Sequence, residues 1–404
     1  MAAAPATTAR SSLPTHAARA SSAWRCARTW SSSASRLPSR QTAKASARGA
    51  TRWLSQATAA DGSASGPTTL PFPEEAENNP QRGKELALLL SREAVEPLLS
   101  LAQAIELTEE AFRQQAGGEV VAHAPYHIAV GGSKALRVVS GALLGWRRVG
   151  VRLGPNSGLG GDRMYALLFD TEIGALLSIM GYPFGTLRTA AHVALAAKHM
   201  ARQDAQKLGL FGVGRNALGL LKAMATIRKL KDIAVSSRDA QRRKTFCAEA
   251  SRLLDIQVRT VENPEEAVRG MDVVFTATNS SIPVFAEDWV EPGAHVSSMG
   301  KPTELSRGLL LKANRIVVGS LEQERNYHDR SAPIPLLELT AEGKLSWSGI
   351  CQLGDVVTGR VSGRASREEI NVFRESQGGF GDVAFASWIY EEALRRGLGQ
   401  EVTL

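Results

Sequence analysis

Apolar and polar positions follow two different periods along this chain, and the place where one gives way to the other divides it. From Lys84, "KELALLL" is an apolar run that reads as a strand. Ser91 then opens a capping pattern, Ser-Arg-Glu-Ala, followed by helical spacing through Leu98, Ile105 and Phe112. Between Val120 and Met180 the runs "VVAHAPYHIAV", "LRVVSGALLGWRRVGVRLGP" and "RMYALLFDTEIGALLSIM" are short and β-rich, broken by Gly, Pro, Asn and Asp turns and by no helix. That order predicts an α+β domain around a largely antiparallel or mixed sheet.

At Tyr182 the period changes. "GTLRTAAHVALAAKHMAR" is an alanine-rich helix starting near Thr186, and it leads into "KLGLFGVG", a strand that ends in glycines. Beyond it come a helix, the strand "DIAVSS", the helix "RRKTFCAEASRLL", the short strand "QVRTV", the helix "NPEEAVRGM" and the strands "DVVFTAT", "AHVSSMG" and "RIVVGS". Strands alternating with helices at this spacing predict an α/β, doubly wound parallel sheet of the Rossmann type.

The glycine loop acquires its meaning from that setting. Gly212 permits the tight turn out of the strand, Gly214 lets backbone N–H groups approach a pyrophosphate, and Ala217 takes the third small position. The helix that follows presents its partial positive charge to phosphates. A glycine pair alone also marks an ordinary turn; between a strand and a helix of a βαβ unit it predicts a dinucleotide site. Cofactor choice is read at the end of the second strand, where an NAD site usually carries Asp or Glu for the ribose hydroxyls. Here "VSSRDA" offers the hydroxyls of Ser236 and Ser237 and the guanidinium of Arg238, suited to a 2′-phosphate. NADP(H) is therefore expected, with NAD(H) as the alternative.

Composition changes the picture mainly at the N-terminus. The net charge of +8 would fit a nucleic-acid partner, but nine of the 48 basic residues precede Asp61, the first acid, leaving 39 against 40. The basic character belongs to the leader, which removes that inference. Rich in Ala, Ser and Arg and free of acid, the leader has the composition of a mitochondrial transit peptide, or a plastid one. Within "TRWLSQ", Arg52 precedes Leu54 as in arginine-guided processing sites, so residues 1–54 are expected to be removed and 55–83 to form a linker. No apolar run approaches the roughly 18 residues of a membrane span. Cys26, Cys247 and Cys351 have no metal-ligand spacing, so no metal site is expected.

Arg188 stands in the first turn of its helix, where the macrodipole disfavours a cation. An anion bound at the same end, phosphate or substrate carboxylate, reverses that sign, and Thr189 adds a hydroxyl.

With these motifs in hand, "GTLRTAAHVALAAKHMAR", "KLGLFGVGRNA", "EEAVRGMDVVFTATNSSIPVF", "EPGAHVSSMG" and "LGDVVTGRVSGRASREEINVFRESQGGFGDVAFASWIYEEALRRGLG" together resemble the ornithine cyclodeaminase and mu-crystallin family, over roughly Lys84 to Leu404. The resemblance implies a nicotinamide cofactor, imine or amino-acid substrates, and a homodimer formed through the N-terminal domains. It implies residues 84–190 with 355–404 as the substrate-binding and dimerisation domain, and 191–354 as the dinucleotide-binding domain. Carried over residue by residue, the cofactor positions are Gly212, Val213, Gly214, Arg215, Asn216, Ser237 and Arg238, with Ala277, Thr278, Met299 and Gly300 lining the crevice. Arg188 and Thr189 match "RTAA", whose arginine engages the substrate carboxylate, and Ser376 and Gly378 match a segment near the nicotinamide.

Departures from the family pattern bear on the chemistry. The lysine of a "GxK" strand is Arg152 here, and the arginine of "PxR" is His127. "SSMGKPTEL" is a shortened loop without the aspartate that cyclodeaminases use, which argues against deamination with ring closure. Hydride transfer at a C=N bond needs a bound carboxylate, a polarised nitrogen and the nicotinamide. The expected activity is therefore that of an imine or ketimine reductase, or of an amino-acid dehydrogenase passing through the same imine. Arg188 is the expected carboxylate clamp, Arg152 orients the substrate, and His127 or Lys301 is the candidate proton donor. A cyclodeaminase and a non-catalytic, crystallin-like NADPH-dependent binder are the alternatives.

Overall fold

The computed structural model describes residues 86–132, 134–156, 163–327, 332–376 and 378–403. The expected leader, its processing position at Leu54 and the linker to residue 83 lie outside them.

After β1 (Leu86–Leu90), Ser91 caps as its sequence indicates, its hydroxyl accepting from the Ala94 amide, but α1 (Arg92–Val95) is a single turn. Pro97 cannot donate to a continuing helix, and Ser100 with Gln103 offers a reciprocal capping box that starts α2 (Leu101–Gly117). One expected helix is thus two. The β-rich stretch forms β2 (Val120–Ala122), β3 (Tyr126–Gly131), β4 (Lys134–Leu143), β5 (Arg148–Pro155), β6 (Tyr165–Asp170) and β7 (Leu176–Gly181).

The alanine-rich helix is α3 (Gly185–Met200), and the alternating half follows as β8 (Lys207–Phe211), α4 (Ala217–Ile227), β9 (Asp232–Ser236), α5 (Ala240–Leu254), β10 (Val258–Thr260), β11 (Val273–Thr276) and β12 (His295–Ser298). The helix expected over "NPEEAVRGM" is only a short 3-10 turn at Pro264–Ala267. Beyond β12 come α6 (Arg307–Lys312), β13 (Arg315–Val318), α7 (Leu321–Arg325), α8 (Pro335–Ala341), β14 (Ile350–Gln352), α9 (Leu353–Val357), β15 (Asn371–Arg374), α10 (Phe380–Arg396) and β16 (Gln400–Thr403). No helix among the described residues is long and apolar enough to cross a membrane.

These strands make two sheets. The first runs β16-β1-β7-β6-β5-β4-β2 with β3 also on β4; β1 and β7 pair parallel and the rest antiparallel. The second is parallel throughout, in the order β10-β9-β8-β11-β12-β15-β13-β14. Here the structure differs from the expected return of residues 355–404 to the first domain. β15 is inserted between β12 and β13, whereas α9 packs on α2, where the Gly354 amide donates to Gln115 Oε1 at 3.1 Å, and α10 and β16 lie with the first sheet. All four β15 residues are buried, as a strand covered on both faces requires.

α3 lies between the halves and is almost wholly buried. Gly219 of α4 lets it approach closely, since a Cβ there would stand 3.3 Å from Thr186 Cγ2 and 3.6 Å from Ala190 Cβ. On the first sheet, cross-strand partners share a face. Arg137 faces His127 on β3 and Gly154 on β5, two positions from Arg152, so all three charged or polar side chains emerge on one side. Gly141 and Gly150 on that same side admit α10: a Cβ at Gly141 would fall 2.3 Å from the Phe380 nitrogen.

Candidate active site

The turn after β8 is built for close approach. Gly212 has φ +99°, its N–H donates to Ser236 O at 2.9 Å, and a Cβ would sit 2.6 Å from Ala277 O. Gly214 is the opposite case, with nothing within 4 Å of a Cβ, so the ground over the turn is open. Asn216 occupies the N-cap position of α4 without making a side-chain cap and instead directs Nδ2 toward Met299 Sδ at 3.8 Å. The Ala217 amide donates back to Gly214 O at 3.1 Å, and the open turn formed by Val213, Gly214, Arg215 and Asn216 at the start of α4 fits a pyrophosphate. At the end of β9, Ser237 is half-buried and Arg238 exposed. Asp239 is spent as the cap of α5, accepting from the Arg242 amide at 2.9 Å.

Across the crevice, Glu304 joins the turns after β11 and β12. Its carboxylate accepts from Thr276 Oγ1 at 2.8 Å, Ser298 Oγ at 3.2 Å, the Gly300 amide at 3.0 Å and the Thr278 amide. It is fully buried, and that burial raises its pKa despite the donors. Glu304 therefore fixes Thr278 and Gly300 directly, while the amides of Ala277 and Met299 donate to Phe211 O and Thr276 O, so all four residues expected to line the crevice are held. Glu304→Ala strands four donors, each costing about 1–3 kcal/mol when unmet, less what entering water restores. The expected net loss is about 2–4 kcal/mol of stability, with dinucleotide affinity at least tenfold lower, measured by denaturant melts and fluorescence titration. Lys301 lies in the same turn, its amide bonded to Thr278 O at 3.3 Å.

The charged side chains converge on Asp382 in the first turn of α10. Arg152 Nε donates to Asp382 Oδ2 at 2.8 Å and Tyr182 donates its hydroxyl proton to Oδ1 at 2.9 Å, while Arg188 Nε lies 3.5 Å from Oδ1. Burial alone would raise the Asp382 pKa, but the charges of Arg152 and Arg188 hold it at about 2. Arg188 Nη1 donates to Glu375 Oε1 at 2.7 Å, and His192 Nδ1 is 3.4 Å from the same oxygen. Burial pushes Glu375 up, yet Arg188 and His192 outweigh it and keep the carboxyl below its ordinary value. His192 is fully buried, and that burial pushes its pKa down against the pull of Glu375. Arg137 is half-buried, its pKa lowered to about 10 by burial and then by the charges of Arg152 and Arg188.

Of the residues expected from sequence, Arg152 and Arg188 meet at Asp382, and His127 stands beside Arg137 across the β3–β4 pair. Two expected cofactor contacts have their hydroxyl protons committed elsewhere: Thr189 donates to Gly185 O, and Ser376 bonds the Ser320 amide and carbonyl. Arg137, Tyr182, His192, Glu304, Glu375 and Asp382 were not anticipated. The available signal was a charged or polar residue inside an apolar element, as with Asp382 in "FGDVAFASW" and His192 in "AAHVALAA". A cavity of about 610 Å³ opens over β1, β6 and β7 instead, bordered by Leu89, Arg92, Arg163, Tyr165 and Ile179. It contains none of the expected site residues, and the chemistry lies with the Asp382 cluster. Among the described residues no group of three or more His, Cys, Asp or Glu side chains could hold a metal ion.

A parallel sheet with an open glycine turn, together with a mixed sheet and buried arginine–carboxylate pairs, defines a two-sheet protein of the dinucleotide-binding class. The chain belongs to the ornithine cyclodeaminase/mu-crystallin family, whose model matches residues 85–397. It is 30% identical to an alanine dehydrogenase of Archaeoglobus fulgidus over 78% of this chain and 98% of that protein. The structure of Thermococcus litoralis Δ1-pyrroline-2-carboxylate reductase in complex with NADH and L-proline is similar at TM-score 0.70 and 29% identity, covering 78% of this chain and all of the other. An archaeal alanine dehydrogenase dimer with bound NAD matches at TM-score 0.70 and 28% identity, over 78% and 99%.

Proposed function

We propose that the protein is an NADP(H)-dependent oxidoreductase acting on the C=N bond of an imine or ketimine, or on the corresponding amino acid in the reverse direction. The observation that carries this reading is the arginine–carboxylate cluster around Asp382, combined with a 299–303 turn that has no acid to manage a departing amine. The relatives named above act on an amino acid or an imino acid, which supports the substrate class. When bound, the nicotinamide supplies or accepts the hydride. The chain's part is to hold and polarise. Arg152 and Arg188 are 4% and 1% exposed, whereas Arg137, on the same face of the sheet as Arg152, is half-buried and open to a ligand's approach. We therefore assign the substrate carboxylate to Arg137 in place of Arg188, with Arg152 orienting it from β5. His127, the cross-strand neighbour of Arg137, is the candidate proton donor.

The preference for NADP(H) rests on the end of β9, where Asp239 is occupied as a helix cap and Arg238 is exposed. Arg238→Ala should weaken NADPH by about 1.5–3 kcal/mol, the range for bonds to charged groups, and leave NADH nearly unchanged. Equal losses would make Arg238 structural. A homodimer fits the outer face of the first sheet, where Leu89, Tyr126, Ile128, Val130, Val149 and Tyr165 are exposed. The leader's composition supports import into the mitochondrial matrix, with the plastid as alternative.

The activity is tested by following NADPH oxidation with cyclic ketimine carboxylates and with 2-oxo acids plus amine. Oxidation with one of them is the expected result. Tight NADPH binding with no oxidation across that panel would favour a binding protein.

A further inference from the structure

Arg188 is the cation that the "RTAA" motif offers to a substrate carboxylate, but in this chain it is answered from within. Its Nη1 donates to Glu375 Oε1 at 2.7 Å and its Nε lies 3.5 Å from Asp382 Oδ1. The guanidinium is 1% exposed and Glu375 is 3% exposed, so the pair is sealed from solvent. Glu375 cannot swing aside freely: its amide donates to Ser298 O at 2.8 Å, fixing it to the end of β12, and its neighbour Ser376 is tied to the Ser320 backbone. On its other side His192 is fully buried, with Phe112 packed edge-on at 5.1 Å. The position is thus a fixed carboxylate on a fixed arginine.

We propose that Glu375 is a specificity-determining residue, an internal carboxylate that holds the place on Arg188 which a substrate carboxylate would otherwise take. The inference rests on the imine-reducing function proposed above and deepens it. Arg188 has further N–H donors, but a carboxylate that reached them would lie beside Glu375 and Asp382, and like charges that close in a buried site repel. Binding a substrate carboxylate at Arg188 would require breaking that bond or placing a second anion beside Glu375 and Asp382. The chain therefore discriminates against substrates that direct a carboxylate toward the first turn of α3 and accepts a neutral group there, while the carboxylate at Arg137 is unaffected.

The test is equilibrium binding of pyrrole-2-carboxylate, a planar mimic of a cyclic imino acid that cannot be reduced, to the NADPH-saturated protein by calorimetry. Glu375→Gln keeps shape and acceptor but removes the charge, and it should bind the carboxylate at least tenfold tighter than wild type. Glu324→Gln is the control for long-range charge, because Glu324 is also buried and pairs with Arg374 at 3.6 Å without touching Arg188; burial pushes its pKa up to about 7, so the titrations are run at about pH 8.5, where it is ionised. Its affinity should stay within twofold. Glu375→Ser removes the charge with a smaller side chain and is the second variant should Glu375→Gln not fold by its thermal midpoint; it should also bind at least tenfold tighter. A gain that persists in Arg188→Met, Glu375→Gln would show that the carboxylate was not admitted at Arg188 and would overturn the proposal. So would no gain in folded Glu375→Gln, including no detectable binding in either protein, or an equal gain in Glu324→Gln. No turnover is needed for this titration, so absence of imine reduction would sink the proposed function separately.

Discussion

Asp382→Ala is expected to cost about 3–5 kcal/mol of stability, the range for removing one partner of a buried ion pair, and to abolish activity. The carboxylate accepts from Arg152 Nε and from the Tyr182 hydroxyl and lies 3.5 Å from Arg188 Nε, so its loss strands two buried guanidinium groups together. Their mutual repulsion is then unopposed except by Glu375. Chemical denaturation at pH 7 measures the loss; a change below about 1 kcal/mol would mean that the cluster relaxes into water. The same residue predicts an acid limb. Its folded pKa is depressed from 3.8 to about 2, so its stabilisation is complete above about pH 4 and is lost as pH falls toward 2. In Asp382→Asn that contribution to the slope should vanish.

The other large effect is at the glycine turn, where two neighbouring substitutions should behave differently. Gly212 has φ +99° and no room beside Ala277 O, so Gly212→Val should both destabilise the fold, by about 1–3 kcal/mol or more for backbone strain, and remove dinucleotide binding. Gly214 has no neighbour within 4 Å of a Cβ and does not require positive φ. Gly214→Val should therefore leave the melting curve nearly unchanged while NADPH affinity falls at least a hundredfold, because the side chain would occupy the ground over the turn. Retained affinity in Gly214→Val would place the pyrophosphate elsewhere.

The two halves were not equally legible in the sequence. The parallel sheet could be read because its signals are local: the Gly212 turn, the apolar run of β8 and the helix after it fall within a few residues of one another. β15 escaped because "NVFR" carries no period of its own and is placed by pairing with β12 and β13, strands far earlier in the chain. The site shows the same limit. Arg152 and Arg188 could be singled out as misplaced cations, but their partners are 230 and 187 residues away. Nothing near either arginine names Asp382 or Glu375. Arg137 was hidden differently, since it looks like a polar position on a half-exposed strand until register sets it beside His127 and near Arg152. Glu304 sits in the loop noted for its missing aspartate, and its role emerges only when the turns after β11 and β12 are seen to share its carboxylate.

Isotope transfer tests the central claim most directly. The protein is incubated with NADPH carrying deuterium on the transferred position at C4 and with a cyclic ketimine carboxylate, and the product is examined by NMR and mass spectrometry. Reduction of the C=N bond predicts one deuterium on the former imine carbon, in proportion to NADPH consumed, and no ammonia released. Product without deuterium, or ammonia formed from a diamino acid with no net consumption of cofactor, would contradict it and return the chain to the cyclodeaminase reading.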